Sequence, residues 1–153
     1  MEQNITIRPV EPNDLTSVLE IEQLSFGNEA FNRRQFRHLA KSPTCHFAVA
    51  EIENQIGGYL ILTTRRKSKV LRIYSIATKP RFRGQGIGEK LMNYTKVFAA
   101  NQLFDTISLE VKESNAAAIA LYQKMGFVST GKKMDYYGQG ENALVMRFTT
   151  SCN

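Results

Sequence analysis

The sequence predicts a mixed α/β fold, an α+β sheet of about seven strands with four helices packed on it. Two observations carry that prediction. Segments of alternating polarity, the mark of a half-buried strand, interleave with segments whose apolar residues recur at helical spacing. Their order along the chain is strand, two helices, three strands, helix, strand, helix, two strands, which suits a mixed sheet. At 153 residues the chain has the size of one ordinary domain, so a single domain over 1–153 is expected, with a core that needs no disulfide or metal.

Ile5-Thr6-Ile7 alternates as a first strand. Pro9 and Pro12 break the chain, and Leu15, Val18 and Leu19 then recur as a helix. A second helix is expected over Asn32 to Ala40, with Arg33, Arg34 and Arg37 outward, Phe36 and Leu39 inward, and Pro43 as its stop. Three strands follow at His46–Ala50, Gly58–Leu62 and Val70–Ile76, the first pair joined around Glu53-Asn54-Gln55, which makes an antiparallel meander. After Lys79-Pro80 the period changes, and Ile87, Leu91, Tyr94 and Phe98 mark one face of a helix. Thr106–Val111 alternates again, and an Ala-rich helix runs from Asn115 to Lys124 with Gly126 as its terminator. Phe127-Val128 begins another strand, Gly138-Gln139-Gly140 is a loop, and Ala143–Phe148 is the last strand.

Composition narrows the class. Apolar residues make up 42% and charged residues 22%, the balance of a folded globular protein rather than a disordered one. No apolar run approaches the ~18 residues of a membrane span, and the polar start Met1–Thr6 lacks the features of a signal peptide, so a cytoplasmic protein without a membrane partner is expected. Cys45 and Cys152 have no metal or redox spacing and are read as free thiols. His38 and His46 stand without a matching carboxylate or thiol, so no metal is expected. The net charge of +6 favours polyanions without choosing among them. Its densest run, Arg65-Arg66-Lys67-Ser68-Lys69, falls between two strands and reads as a solvated hairpin turn, with contact to RNA or a ribosomal partner as the alternative.

Arg83-Gly84-Gln85-Gly86-Ile87-Gly88 carries the most specific signal. It opens a helix directly after a strand, where unpaired backbone N–H groups and the helix dipole converge on an anion and glycines let a diphosphate come close. The spacing is not that of a P-loop, and the dinucleotide fingerprint would require Gly where Glu89 stands. Arg-x-x-Gly-x-Gly in this setting resembles the pyrophosphate-binding motif of the GNAT superfamily of N-acetyltransferases. The downstream run Glu110-Val111-Lys112-Glu113-Ser114-Asn115, continuing through Leu121-Tyr122 to Gly126-Phe127, resembles the second acetyl-CoA segment of that family. Through Leu-Glu-Val, Ser-Asn-Ala-Ala-Ala-Ile-Ala-Leu-Tyr and a later Tyr-Tyr pair, the chain is most similar to the RimI-type ribosomal-protein alanine N-acetyltransferases.

The resemblance implies a sheet with helices on both faces and a splayed pair of central strands, acetyl-CoA as cosubstrate, and a set of roles. Acetyl transfer from a thioester to an amine needs a neutral amine, a polarised carbonyl and a proton for the departing thiolate. Glu110, on the strand face opposite Ile107, Leu109 and Val111, matches the family's base; Tyr122 matches its proton donor and also meets the cofactor. Backbone N–H groups of Ile76, Ala77 and Thr78 would polarise the carbonyl. Arg83, Gly84, Gln85, Gly86, Ile87, Gly88 and Glu89 would hold the pyrophosphate. Asn115 is read both as a helix cap and as a cofactor contact. Tyr136 and Tyr137, within Met134-Asp135-Tyr136-Tyr137, and Glu29, in the loop after the first helix, would meet the substrate.

Two departures bear on the acceptor. Glu141-Asn142-Ala143 stands where the family usually has Glu-Asp-Ala, and the loop Phe26-Gly27-Asn28-Glu29-Ala30-Phe31 lacks a Trp often found there. The resemblance therefore implies transfer to the N-terminal α-amine of a peptide or protein, such as a ribosomal protein, with nucleic acid met only indirectly through that partner. The alternatives are a small amine (a polyamine, amino acid or antibiotic) as acceptor, or a non-catalytic module that binds coenzyme A or RNA.

Overall fold

The computed structural model describes residues 4–27 and 32–150. Its elements follow the predicted order: β1 (Thr6–Pro9), α1 (Leu15–Phe26), α2 (Arg33–Lys41), β2 (Cys45–Ile52), β3 (Gln55–Thr63), β4 (Val70–Thr78), α3 (Ile87–Asn101), β5 (Thr106–Lys112), α4 (Ala116–Lys124), β6 (Val128–Gly138) and β7 (Glu141–Thr149). The strands form one sheet in the order β1-β2-β3-β4-β5-β7-β6. Neighbours are antiparallel except β4 and β5, which run parallel across the α3 crossover. Among the described residues no helix is long and apolar enough to cross a membrane.

Local chemistry explains the boundaries. Glu53 and Asn54 both take left-handed backbone angles, the requirement of a two-residue hairpin whose twist matches its strands. Gln55, expected in that turn, is instead the first residue of β3. Asn32 caps α2 by accepting from Gln35 N at 2.9 Å, while Gln35 Oε1 accepts in return from Asn32 N. The first strand runs to Pro9 rather than ending at Ile7, which an edge strand tolerates because a missing N–H can face outward there. Arg65 to Lys69 form the β3–β4 connection, closed by Ser68 N donating to Arg65 O at 3.0 Å.

Two cores flank the sheet. Leu60, Leu62, Leu71, Ile73, Ile107 and Leu109 meet α3 and α4 through Ile87, Leu91, Met92 and Tyr122. On the other face Phe47, Val49, Tyr59, Ile61 and Ala77 meet Leu15, Val18, Ile21 and Phe36 of α1 and α2. Alternation along each strand sends side chains to both faces, and helices cover both, as expected.

The second core holds a polar chain. Tyr59 donates to the carboxylate of Glu22, which is 2% exposed, and shares a 3.0 Å hydrogen bond with the Ser75 hydroxyl. Burial and the neighbouring Glu22 charge push the Tyr59 phenol far up, so it stays protonated. A helix, β3 and β4 are thereby joined by hydrogen bonds in a region where any unmet polar group would be costly.

Candidate active site

The parallel pairing of β4 and β5 is short. It runs from Val70 opposite Thr106 to Ile73 opposite Leu109 and then stops. Beyond that point Ser75–Thr78 pair only with β3, and Glu110–Lys112 pair only with β7. The cause lies in β4. Leu62 faces Ile73 and Ile61 faces Ser75, so Tyr74 is an extra residue, a bulge that bends the strand away from its parallel neighbour. Ile76, Ala77 and Thr78 line the β4 side of the gap, and Glu110 stands across it.

The glycine turn lies at the end of β4, after a short 3-10 turn at Pro80–Phe82. Gly84 and Gly86 have φ of +80° and +90°, and a Cβ built on either meets nothing within 4 Å. These glycines are therefore set by backbone geometry, and open space lies above them. The first helical bond of α3 runs from Lys90 N to Gly86 O, and no side chain caps this end, so the N–H groups of the first turn stay outside the helical ladder. The site fits a diphosphate on its own geometry. Gly88 serves another purpose: a Cβ there would stand 2.9 Å from Leu121 Cδ2, so its absence lets α4 pack against the start of α3. The Glu89 side chain pairs with Lys124 of α4, which leaves only its backbone N–H to face a ligand. Arg83 and Gln85 are exposed.

Glu110 sits on the face opposite the first core, its side chain 9% exposed. Arg72 donates to its Oε2 from Nε at 3.2 Å and from Nη2 at 3.0 Å, and also to the Tyr136 hydroxyl at 2.9 Å. Lys133 Nζ lies 3.1 Å from its Oε1. Burial opposes the Arg72 charge, but Glu110 and Tyr136 outweigh it and raise the guanidinium above its ordinary value. Arg72, Tyr74, Glu110, Tyr136 and Tyr137 line a cleft of ≈ 200 Å³. The Tyr136 and Tyr137 rings stand edge to face at 4.9 Å, a favoured aromatic geometry. Burial, then the neighbouring Tyr136 and Glu110, push the Tyr137 phenol up, against the pull of Arg72. Met134–Tyr137 leave the regular β6–β7 ladder, whose register breaks between Lys133 and Gly138 with Asp135 in a left-handed conformation. That break turns the tyrosine pair toward Glu110.

Tyr122 is 7% exposed on α4, and burial pushes its phenol up to about 12, so it carries its proton at neutral pH. Asn115 caps α4, accepting from Ala118 N at 3.1 Å. Glu29 lies outside the described residues. Sequence reasoning missed Arg72 and Lys133. The available signal for Arg72 was a cation within a central strand between Leu71 and Ile73; Lys133 gave none, since an exposed β6 lysine is unremarkable until the fold brings β6 beside β5.

Residues 15–127 match the model of the Acetyltransferase (GNAT) family. A Bacillus subtilis (strain 168) protein, whose name provisionally assigns it to ribosomal protein bS18-alanine N-acetylation, is 31% identical over 150 residues, covering 97% of this chain and 98% of that one. The [ribosomal protein bS18]-alanine N-acetyltransferase of Salmonella typhimurium (strain LT2) is 28% identical over 159 residues, at 95% and 98% coverage. The crystal structure of the ribosomal-protein-S18-alanine N-acetyltransferase from Escherichia coli superposes with a TM-score of 0.85 at 25% identity, over 98% of this chain and 96% of that one. The chain belongs to the GNAT family of acetyltransferases and is an N-acetyltransferase that uses acetyl-CoA.

Proposed function

We propose that this enzyme acetylates the N-terminal α-amine of a protein, and that the acceptor is a ribosomal protein. The observation that carries the reading is the cleft itself: a nearly buried carboxylate, Glu110, framed by the Tyr136–Tyr137 pair beside the point where β4 and β5 stop pairing. A chain terminus offers an ammonium to the carboxylate and peptide groups to the tyrosine hydroxyls. Relatives matched over nearly their whole length are named for the same chemistry.

In this reading the amine nitrogen attacks the acetyl carbonyl, the amide C–N bond forms, the C–S bond breaks, and the thiol leaves protonated. Acetyl-CoA supplies the activated acetyl group as its thioester. Glu110 takes the proton from the acceptor ammonium, directly or through one water. Tyr122, kept protonated by burial, gives a proton to the thiolate and is restored through solvent by the second proton that the acceptor nitrogen loses as the amide forms. The backbone of Ile76–Thr78, freed from β5 by the Tyr74 bulge, holds the acetyl oxygen. The turn from Arg83 to Glu89 holds the pyrophosphate, with Asn115 at the start of α4 beside it, while Tyr136, Tyr137 and Glu29 meet the acceptor. The whole chain, 1–153, works as one catalytic domain in the cytoplasm, needs no metal or membrane, and meets nucleic acid only through a ribosomal partner.

Thiol release from acetyl-CoA, measured with free tetrapeptides, the same peptides blocked at the N-terminus, and a panel of polyamines, amino acids and aminoglycosides, tests this. Release with free peptides alone is expected. Release with small amines alone would replace the acceptor class, and acetyl-CoA binding without release in any arm would leave only a binding module.

A further inference from the structure

The two oxygens of Glu110 are held differently. Oε2 receives Arg72, which is itself fixed by its bond to Tyr136 and by lying 5.4 Å over the Tyr74 ring. Oε1 receives Lys133, whose ammonium also stands 5.1 Å from the centre of the Tyr136 ring. The Lys133 side chain is 48% exposed, and its residue is the last regular rung of β6 before the register break. A primary ammonium thus lies between a carboxylate and an aromatic face, the surroundings that an alkylammonium ligand selects. Two ammonium groups cannot share one carboxylate oxygen in contact without strong repulsion.

We infer that Lys133 is an internal stand-in for the acceptor: its ammonium occupies the subsite of the incoming primary amine and must swing out for the acceptor to bind. Arg72 stays and keeps the carboxylate aimed; Lys133 sets the affinity. The inference rests on the reading of Glu110 as the group that meets the acceptor amine. Lys133 acts here by competition, so its removal strengthens acceptor binding, whereas loss of a merely structural contact would weaken it or leave it unchanged.

Calorimetric binding in the presence of coenzyme A, which prevents turnover, provides the test. The probes are tetrapeptide amides with free and acetyl-blocked N-termini, and n-propylamine, against the natural protein and the variants Lys133→Met, Lys133→Arg and Lys132→Met. Lys132 faces Glu113 rather than Glu110, so its variant removes the same charge from a neighbouring position. Lys133→Met is expected to lower Kd for free amines by about two- to tenfold, the scale of one exposed ion pair with a cation–π contact. Lys133→Arg should restore the natural value, and blocked peptides should show no gain. The inference is overturned if Lys133→Met binds free amines no more tightly, if Lys132→Met tightens them equally, or if no free amine binds any of the proteins. Tightening confined to n-propylamine upholds the stand-in and removes the peptide reading. Peptide acetylation by the natural enzyme with unchanged binding in Lys133→Met does the reverse.

Discussion

Arg72 and Glu110 join β4 to β5 at the place where the two strands stop pairing. Arg72 is in register with Ser108, and its guanidinium reaches two residues further along β5 to hold Glu110 Oε2 from two nitrogens. The ion pair therefore does two jobs: it closes the end of the ladder, and it supplies a fixed counter-charge to a carboxylate that is mostly withdrawn from water. Replacing Arg72 by Met should cost about 1–2 kcal/mol of stability, less than a fully buried pair because the guanidinium side is partly wet. Urea unfolding would measure the loss. Lys at the same position keeps the charge but not the forked geometry, so it should recover stability only in part.

Glu110 is the position at which chemistry and binding separate most cleanly. Its carboxylate lies on the sheet face opposite the core that Ile87 and Leu91 of α3 enter, so Glu110→Gln should leave acetyl-CoA affinity nearly unchanged. Turnover should fall by roughly 10²–10⁴-fold, the usual contribution of a positioned base. An α-amine loses its proton in solution near pH 8, so the variant should regain part of its rate as pH rises past that value. A pH–rate profile parallel to that of the natural enzyme would remove Glu110 from the role of base.

The order of elements and the glycine turn could be read from the sequence because each rests on local period or local backbone chemistry, whereas helices on both faces of the sheet came from the family resemblance. Ile87, Leu91, Tyr94 and Phe98 face one way on any helix, and the glycines after Arg83 mark a tight strand-to-helix turn, where the structure gives Gly84 and Gly86 positive φ. The cleft is different, because its members come from β4, β5 and β6 and meet only through strand order. Glu110 and the tyrosines entered the reading through resemblance to a family. Arg72 and Lys133 did not, since nothing local says that two cations will share one carboxylate. The Glu22–Tyr59–Ser75 chain was hidden likewise: a carboxylate on an amphipathic helix reads as solvated until its face is known.

Gly86 and Gly126 should separate function from stability. Both hold left-handed backbone, at φ +90° and +94°, which costs an L-residue about 1–2 kcal/mol. An added Cβ at Gly86 meets open space, whereas at Gly126 it stands 3.1 Å from the Phe148 ring. Gly86→Ala should therefore weaken acetyl-CoA binding by shifting the N–H groups at the start of α3, with little change in desulfo-pantetheine binding. Gly126→Ala should lower the melting temperature more and leave cofactor affinity per folded molecule intact. Thermal shifts measured with and without coenzyme A would show both effects.

His46 gives the fold a pH dependence away from the cleft. Its ring is stacked on Phe98 at 4.6 Å and on Tyr94 at 5.7 Å, and Nε2 contacts the Tyr94 hydroxyl. Burial lowers its pKa below the ordinary 6.5, because the charged imidazolium would lose hydration without gaining an anion. Above pH 6.5 the ring is neutral in both folded and unfolded chains, and its packing contributes in full. As pH falls below 6.5 the unfolded chain takes the proton first, so stability declines until the folded pKa is reached and then levels. His46→Gln should flatten this part of the curve, with the acid loss from Asp14, whose carboxyl Arg8 holds low, still appearing at lower pH. Chemical denaturation at intervals from pH 7.5 to about pH 2.5, passing below the ordinary His and Asp values, would show the step. An unchanged slope in the variant would assign the step to another group.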